Sequence, residues 1–313
     1  MPEPVFRVVR AYAPGSVGNV GPGLDILGLA VTGAGDRVTA RVAGATGRTV
    51  ATDGAAIPTD PERNTASLAA RAVLIRAGAS GLGLALTLQK GLPLSGGQGG
   101  SAASAVAAAV AVNHLLGRPL SPHGLLLATL EAEEAVAGRH ADNLAPSLLG
   151  SAVLIRSLDP LDFVLLPVPA ALRVVLARPE QELRTAEGRA VLPAEVSRAV
   201  ALHQAAQVAA MVAALASGDL ALLGRAIDDR IAEPARAPLL PGFTAAKAAA
   251  LAAGALGCSI SGSGPTAFAL VSDEETGARV AQAMAAAYGA AGLGCTARVA
   301  AVDRTGARVE HAE

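Results

Sequence analysis

The sequence predicts an α+β protein built as two domains. Three observations carry this. The chain has 313 residues, of which 52% are hydrophobic and 16% charged, enough apolar material for two modest cores and too little charge for a disordered chain. Strand-like alternation and helical spacing both occur before and after a proline-marked joint. No fixed-period repeat runs through the chain, so a solenoid is excluded.

The elements follow in order. Phe6–Tyr12 reads as a strand ended by Pro14-Gly15, and Asp36–Val42 alternates like a second one. Asn64–Ala77 has helical spacing with Asn64 or Thr65 as its cap. Gly83–Gln89 alternates Leu84, Leu86 and Leu88 with Ala85 and Thr87, a strand pattern. A glycine loop and a long alanine helix come next. Ser121-Pro122 starts a helix running to about Ala137, the polar turn 138–143 follows, and Ser151–Ile155 reads as a strand. Asp159-Pro160 and Pro167-Val-Pro169 mark the joint, which divides the chain into residues 1–168 and 169–313. The second half opens with a strand at Leu172–Ala177 and continues with helices near Ser197–Ser217, Leu220–Ala232 and Phe243–Ala253. A glycine turn within Cys258–Val271 feeds an apolar strand, and a helix at Glu274–Tyr288 and a strand at Cys295–Val302 finish the chain.

Composition removes several classes of function. A net charge of −1 leaves no electrostatic footprint for nucleic acid or a polybasic membrane contact. Trp is absent and aromatics make up 2%, which argues against a base-stacking surface. Cys258 and Cys295 have no metal spacing, so buried thiols in a reducing compartment are the simplest account. The start, Met1-Pro-Glu-Pro-Val-Phe-Arg7, has no apolar run of the leader type, and the Ala/Val runs are broken before a transmembrane length. A cytoplasmic protein with no nucleic-acid or membrane partner is the expectation.

The chemistry concentrates in Pro93-Leu-Ser-Gly-Gly-Gln-Gly-Gly-Ser-Ala-Ala-Ser104, directly before an alanine-rich helical run. A glycine loop feeding a helix N-terminus turns free N–H groups toward one point, where the helix dipole favours an anion by roughly 0.3–1 kcal/mol. A phosphate cradle and a plain turn before a core helix both fit this local pattern. Two dinucleotide fingerprints are decoys. Gly97-x-Gly99-x-x-Ala102 is separated from its strand by a spacer and has no acid until Glu131, and Gly262-x-Gly264-x-x-Ala267 runs into a strand and not a helix. No Gly-Lys-Ser/Thr is present, so a Walker loop is excluded.

Two further glycine segments accompany the cradle, Ala13-Pro-Gly-Ser-Val-Gly-Asn-Val-Gly-Pro-Gly-Leu-Asp-Ile-Leu-Gly-Leu-Ala30 and Ser259–Leu270. With Arg139–Pro146, Thr185–Pro193 and Ile231–Gly242, in this order and spacing, the set resembles the GHMP kinases, named for galacto-, homoserine, mevalonate and phosphomevalonate kinase. The run Asn19-Val-Gly-Pro-Gly-Leu-Asp25 is similar to the homoserine-kinase branch, and the second half to its plant-type form. The resemblance spans nearly the whole chain. It implies an ATP-binding N-terminal domain of the ribosomal-S5-like type (1–168) and a ferredoxin-like C-terminal domain (169–313). It also implies ATP and Mg²⁺ as cofactors, L-homoserine as phosphate acceptor in threonine biosynthesis, and a homodimer.

Residue by residue, the resemblance implies that Pro93, Leu94, Ser95, Gly96, Gly97, Gln98, Gly99, Gly100, Ser101, Ala102 and Ala103 cradle ATP. Asn64 and Lys90 match positions near the adenine. Ser101 would ligate Mg²⁺, with a simple N-cap as its other reading. Glu133 would be the carboxylate ligand, with Glu131 and Glu134 as alternatives, because Mg²⁺ takes hard oxygens. For a zwitterionic substrate, Arg189 and Arg236 match the carboxylate clamp and Asp25, helped by Asn19, the ammonium acceptor. His140 is implied in the substrate pocket and Asn143 beside the γ-phosphate and attacking hydroxyl. Asp142 aligns with the general base of mevalonate-type relatives and stays open between base and turn residue, since the homoserine branch works by transition-state stabilisation. Three departures stand out: Gln98 replaces an apolar residue, Gly100 a serine and Ser263 an alanine. They leave two further readings open, another GHMP small-molecule kinase and a weakly active homologue that senses nucleotide or amino acid.

Overall fold

The computed structural model describes residues 3–44, 47–53 and 57–313, so Met1 and Pro2 of the N-terminal segment lie outside the described residues. The first half runs β1 (Val8–Gly18), β2 (Leu27–Ala43), β3 (Arg48–Thr52), α1 (Thr65–Arg76), β4 (Gly83–Gln89), α2 (Gly100–Leu115), α3 (Pro122–Glu134), α4 (Leu144–Leu149), β5 (Ala152–Leu158) and β6 (Leu161–Leu166). The second half runs β7 (Arg173–Pro179), α5 (Thr185–Ala190), α6 (Arg198–Ser217), α7 (Leu220–Arg225), α8 (Ala232–Arg236), α9 (Phe243–Ala252), β8 (Gly257–Ile260), β9 (Ala267–Val271), α10 (Glu274–Ala290), β10 (Cys295–Ala301) and β11 (Arg308–Ala312).

The first sheet has the order β11-β1-β2-β4-β3, with β5 on β2 and β6 on β5. Among the described residues only β3 and β4 pair in parallel, which requires the crossover helix α1 between them. β2 is long enough to pair β5 through Leu27–Leu29 and β4 through Arg37–Ala43. The second sheet, β10-β7-β9-β8, is antiparallel throughout, and its βαββαβ order is the ferredoxin-like one. β11 returns to the first sheet and pairs β1, so sheet membership does not follow the chain.

Small side chains set the packing of the first half. The buried alanines of α2 (Ala102, Ala103, Ala105, Ala107, Ala108, Ala109 and Ala111) let the helix lie close against the sheet and α1. A second core joins the halves, with Val17, Leu27, Leu29 and Val31 meeting Val174, Leu176, Phe268, Leu270 and Met211. Burying each such Val or Leu contributes about 1.5–3 kcal/mol. The halves are thus one packed unit with a groove along the seam.

Several boundaries differ from the sequence expectation. Pro14-Gly15 does not end β1; the register shifts there, and the strand goes on to Gly18. Asp159-Pro160 is the turn of the β5–β6 hairpin and not part of the joint, which leaves Pro167–Pro169 between the sheets. The helix expected over Leu220–Ala232 stops at Arg225 and restarts as α8, where Asp229 accepts from Ile231 N (2.8 Å), Ala232 N (3.1 Å) and Glu233 N (2.9 Å). β3, α4, β6, α5, β8 and β11 had no sequence signal of their own. α6, at 20 residues with a mean hydropathy of 1.6 over its most apolar 18-residue stretch, is long and apolar enough to cross a membrane by length and composition, contrary to the expected interruption. It nevertheless buries Gln204, which donates to Pro22 O (2.9 Å) and Asp229 Oδ1 (2.8 Å).

Candidate active site

The seam opens as a cleft of about 590 Å³. Asn19, Asp25, Asn64, Lys90, Pro93–Gly97, Gly99–Ala102, Glu133, His140, Asp142, Asn143, Arg189 and Arg236 all line it. Two predicted residues do not. Ala103 is fully buried on the inner side of α2, and the side chain of Gln98 turns into the second domain.

The cradle's backbone is oriented from behind. Gly96 O accepts from Thr266 Oγ1, Gly97 O from Ser261 Oγ (2.6 Å), and Gln98 O from Ser16 N (3.1 Å). In a planar trans peptide the carbonyl and the next N–H point opposite ways. The N–H groups of Gly97, Gln98 and Gly99 are therefore turned away from those partners. Among the described residues, no protein group accepts from the backbone N–H groups of Gly97 to Ala102. The orphan donors of α2 add to them, a concentration of positive dipole suited to phosphate. Gly97 permits this geometry twice over. Its φ is +70°, and a Cβ there would lie 2.7 Å from the carbonyl oxygens of Ser261 and Gly264.

Gly99, left-handed and without a side chain, is the N-cap of α2, so Ser101 is not the cap. Its hydroxyl donates instead to Glu133 Oε2 at 3.1 Å. Glu133 is 4% exposed. Burial pushes its carboxyl above the usual carboxylate range, partly offset by His140 and Ser101. Glu131 and Glu134 instead face Arg76 (3.2 Å) and Arg139 (2.7 Å) at the surface. At Gly100, a Cβ would meet Lys90 Nζ and Pro93 O at 3.4 Å and Leu92 Cβ at 3.7 Å, all ordinary contact. Gly100→Ser is expected to leave turnover at or above the parent value and to raise the melting temperature slightly, since serine is the better helix former. Parallel melts and assays check this.

Asn64 and Lys90 are both committed to protein partners. Asn64 Oδ1 caps α1 at Ser67 N (3.2 Å), and its Nδ2 donates to Pro58 O (2.8 Å). Lys90 spends its three protons on Asp36, Gly100 O (3.0 Å) and Ser104 Oγ (3.0 Å). Asp36, which the sequence reading missed, also accepts from Gly91 N (3.1 Å) and Leu92 N (3.2 Å) and so fixes the loop ahead of the cradle. A charged residue in an otherwise alternating strand was its only signal.

The opposite end carries the charges. Arg189, on α5, holds Asp25 with two hydrogen bonds (2.6 and 3.2 Å). Arg236 is 3% exposed and donates to Gly188 O (2.9 Å) and Gly262 O (2.8 Å); burial lowers its pKa. Asn19 Oδ1 accepts from Asp25 N (3.0 Å) and its Nδ2 donates to Gly262 O (3.1 Å), tying two glycine segments together. Asn19, Val20 and Asp25 have φ of 67°, 48° and 61°, left-handed backbone that non-glycine residues seldom adopt.

Asn143 sits between these ends. Its Oδ1 accepts from Ser16 Oγ (2.9 Å), which turns its Nδ2 toward Asp142 Oδ2 (3.4 Å). Ser16, also missed, thereby sets the Asn143 amide. Asp142 Oδ2 further accepts from Asn19 N (3.1 Å), and its Oδ1 lies 3.4 Å from His140 Nδ1. Burial alone would lower the His140 pKa, but the Asp142 and Glu133 carboxyls outweigh it and the net shift is upward. His140 Nε2 is buried and without a protein partner.

The family models described as GHMP kinases N terminal domain and GHMP kinases C terminal match residues 64–151 and 211–290. A homoserine kinase of Arabidopsis thaliana is 47% identical, with 98% of this chain and 86% of that protein covered. One of Chlorobium phaeovibrioides is 45% identical, covering 97% of this chain and all (100%) of that protein. The crystal structure of a homoserine kinase from Cytophaga hutchinsonii superposes with a TM-score of 0.93 at 41% identity, covering 97% and 98% of the two chains. An L. major mevalonate kinase shares the fold at 18% identity and a TM-score of 0.73, with 96% and 98% covered. The chain belongs to the homoserine kinases of the GHMP kinase family.

Proposed function

We propose that this cleft transfers the γ-phosphate of ATP to the side-chain hydroxyl of L-homoserine, giving O-phospho-L-homoserine on the route to threonine. One observation carries the reading: a nest of free backbone N–H groups shares a single cleft with two arginines and an acid placed for a zwitterion. Residues 1–168 would form the ATP-binding domain and 169–313 the C-terminal one. A cytoplasmic homodimer is the proposed setting; both free thiols, Cys258 and Cys295, support a reducing compartment. Turnover with ATP across homoserine, mevalonate and galactose tests the reading, and activity on homoserine alone is expected. Preference for either other alcohol overturns the substrate, and ATP binding without turnover makes the chain a sensor.

In this mechanism the N–H groups of Gly97–Ala102 hold the phosphates, while Asn64 and Lys90 frame the adenine end. Arg189 and Arg236 grip the substrate carboxylate and Asp25 its ammonium, with His140 closing the pocket. Asn143 orients the hydroxyl as it attacks the γ-phosphorus, the bond to ADP breaks, and the proton leaves on a phosphate oxygen. Ser101 and Glu133 would hold a Mg²⁺ ion, which favours hard oxygens such as their hydroxyl and carboxylate. Among the described residues, no cluster of three His, Cys, Asp or Glu offers a fuller cage. When bound, Mg²⁺ neutralises charge on the transferring group.

Ser101→Ala is expected to lower turnover at limiting Mg²⁺ at least about tenfold, or about 1.4 kcal/mol of barrier, with an unchanged melting temperature. Full activity would return Ser101 to a structural role. Glu133→Gln is expected to raise the stability of the unliganded protein. A raised carboxyl pKa means the folded state binds its proton more tightly than the unfolded chain, so unliganded stability falls as pH rises through that raised value. The amide removes this cost. The variant should melt higher than the parent at pH 8 without ligand and lose the stabilisation that MgATP confers, both read by calorimetry.

A further inference from the structure

Gln98 is the cradle residue whose side chain leaves the cleft. It is 6% exposed. Its Nε2 donates to Thr266 Oγ1 (3.3 Å) and its Oε1 accepts from Arg298 NH2 (3.4 Å). Thr266, which leads into β9, passes its own proton to Gly96 O. Arg298, on β10, also donates through NH1 to Thr32 O of β2 at 2.7 Å. The result is a partly buried polar circuit from the cradle through the start of β9 and the edge strand β10 of the second sheet and back to the first sheet. Each end of the amide meets a partner of matching polarity, a hydroxyl oxygen for its N–H and a guanidinium for its oxygen. Burial, which lowers the Arg298 pKa, makes each of these weak contacts costly to leave unmade. An apolar residue, as related cradles carry, can fill this slot but satisfies neither partner.

The peptide planes give the circuit a consequence for the site. The carbonyls of Gly96 and Gly97 are held by Thr266 and Ser261, and the Gln98 side chain pins the residue next to them on the same side. Whatever fixes that side of the loop fixes where the opposite N–H groups point.

We propose that Gln98 is a positioning residue: with Thr266 and Arg298 it bolts the phosphate loop to the C-terminal sheet and thereby sets the affinity for the nucleotide triphosphate. This rests on the loop being the ATP cradle. Neither Gln98 nor Arg298 lines the cleft, so homoserine binding is expected to be independent of the bolt.

The test measures MgATP binding by calorimetry, apart from turnover, in the full chain. Gln98→Leu keeps size and burial. It is expected to weaken the Kd and KM for ATP by about threefold to tenfold, the range of about one net hydrogen bond, with the KM for homoserine unchanged. Arg298→Met, which leaves Gln98 in place, should act in the same direction and serves if the leucine variant does not fold. The double variant should be no weaker than the worse single one, since both cut one circuit. An unchanged ATP Kd in either variant, additive losses, or equal losses for ATP and homoserine would overturn the bolt. Absence of MgATP binding in the parent protein would instead overturn the cradle itself.

Discussion

Asn143→Ala is expected to lower turnover by at least about a hundredfold, or about 2.7 kcal/mol of barrier, while Asp142→Asn costs less than the ~10²–10⁴ typical of a lost general base. The geometry separates the two. Ser16 fixes the Asn143 oxygen, and with one amide hydrogen directed at Asp142 the other is left, in the proposed mechanism, for the reacting groups. Asp142 spends Oδ2 on Asn19 N and on Asn143 Nδ2, and Oδ1 lies against His140. An asparagine at 142 can satisfy both sides. Its oxygen accepts from Asn19 N, and its NH₂ faces a His140 Nδ1 that accepts in the neutral ring. The substitution therefore tests charge and not shape. Steady-state rates with melting curves on both variants decide the matter; a thousandfold loss in a well-folded Asp142→Asn enzyme would make the carboxylate the base.

Arg189→Ala is expected to reduce kcat/KM for homoserine by about tenfold to a hundredfold, with little change in the KM for ATP. Without substrate, Arg189 and Asp25 neutralise each other through two hydrogen bonds. In the proposed mechanism an entering zwitterion would exchange that pair for two new ones, ammonium on Asp25 and carboxylate on Arg189 and Arg236. Removing the arginine leaves Asp25 without its partner and the carboxylate with half its clamp. Asp25→Ala should be as damaging, and the double variant should fall short of the summed losses because the two residues act as a unit. A main effect on ATP would move Arg189 to the phosphate side.

The sequence by itself determined which chemistry the chain carries. Glycine runs before an alanine helix, an Asn-x-Gly-Pro-Gly-x-Asp run and two arginines in ordered motifs were legible because they are local patterns, and so were Asn64 and Ser121 as caps. The tertiary structure decided what each residue faces. The resemblance put Glu133 ahead of Glu131 and Glu134, but the packing of α3 is what buries Glu133 against Ser101 while its neighbours meet surface arginines. Lys90 and Asn64 lie at the cleft, yet partners from Asp36, Ser104, Pro58 and Ser67 take up their polar groups. β11 joins β1 across most of the chain length, a pairing that no short window of sequence contains. Gln98 looked like a blemish in a phosphate loop, and its partners lie 168 and 200 residues away. The physical reason is common to all of these. Propensity and spacing act over a few residues, whereas burial and hydrogen-bond partners are fixed only when distant segments close on one another and exclude water.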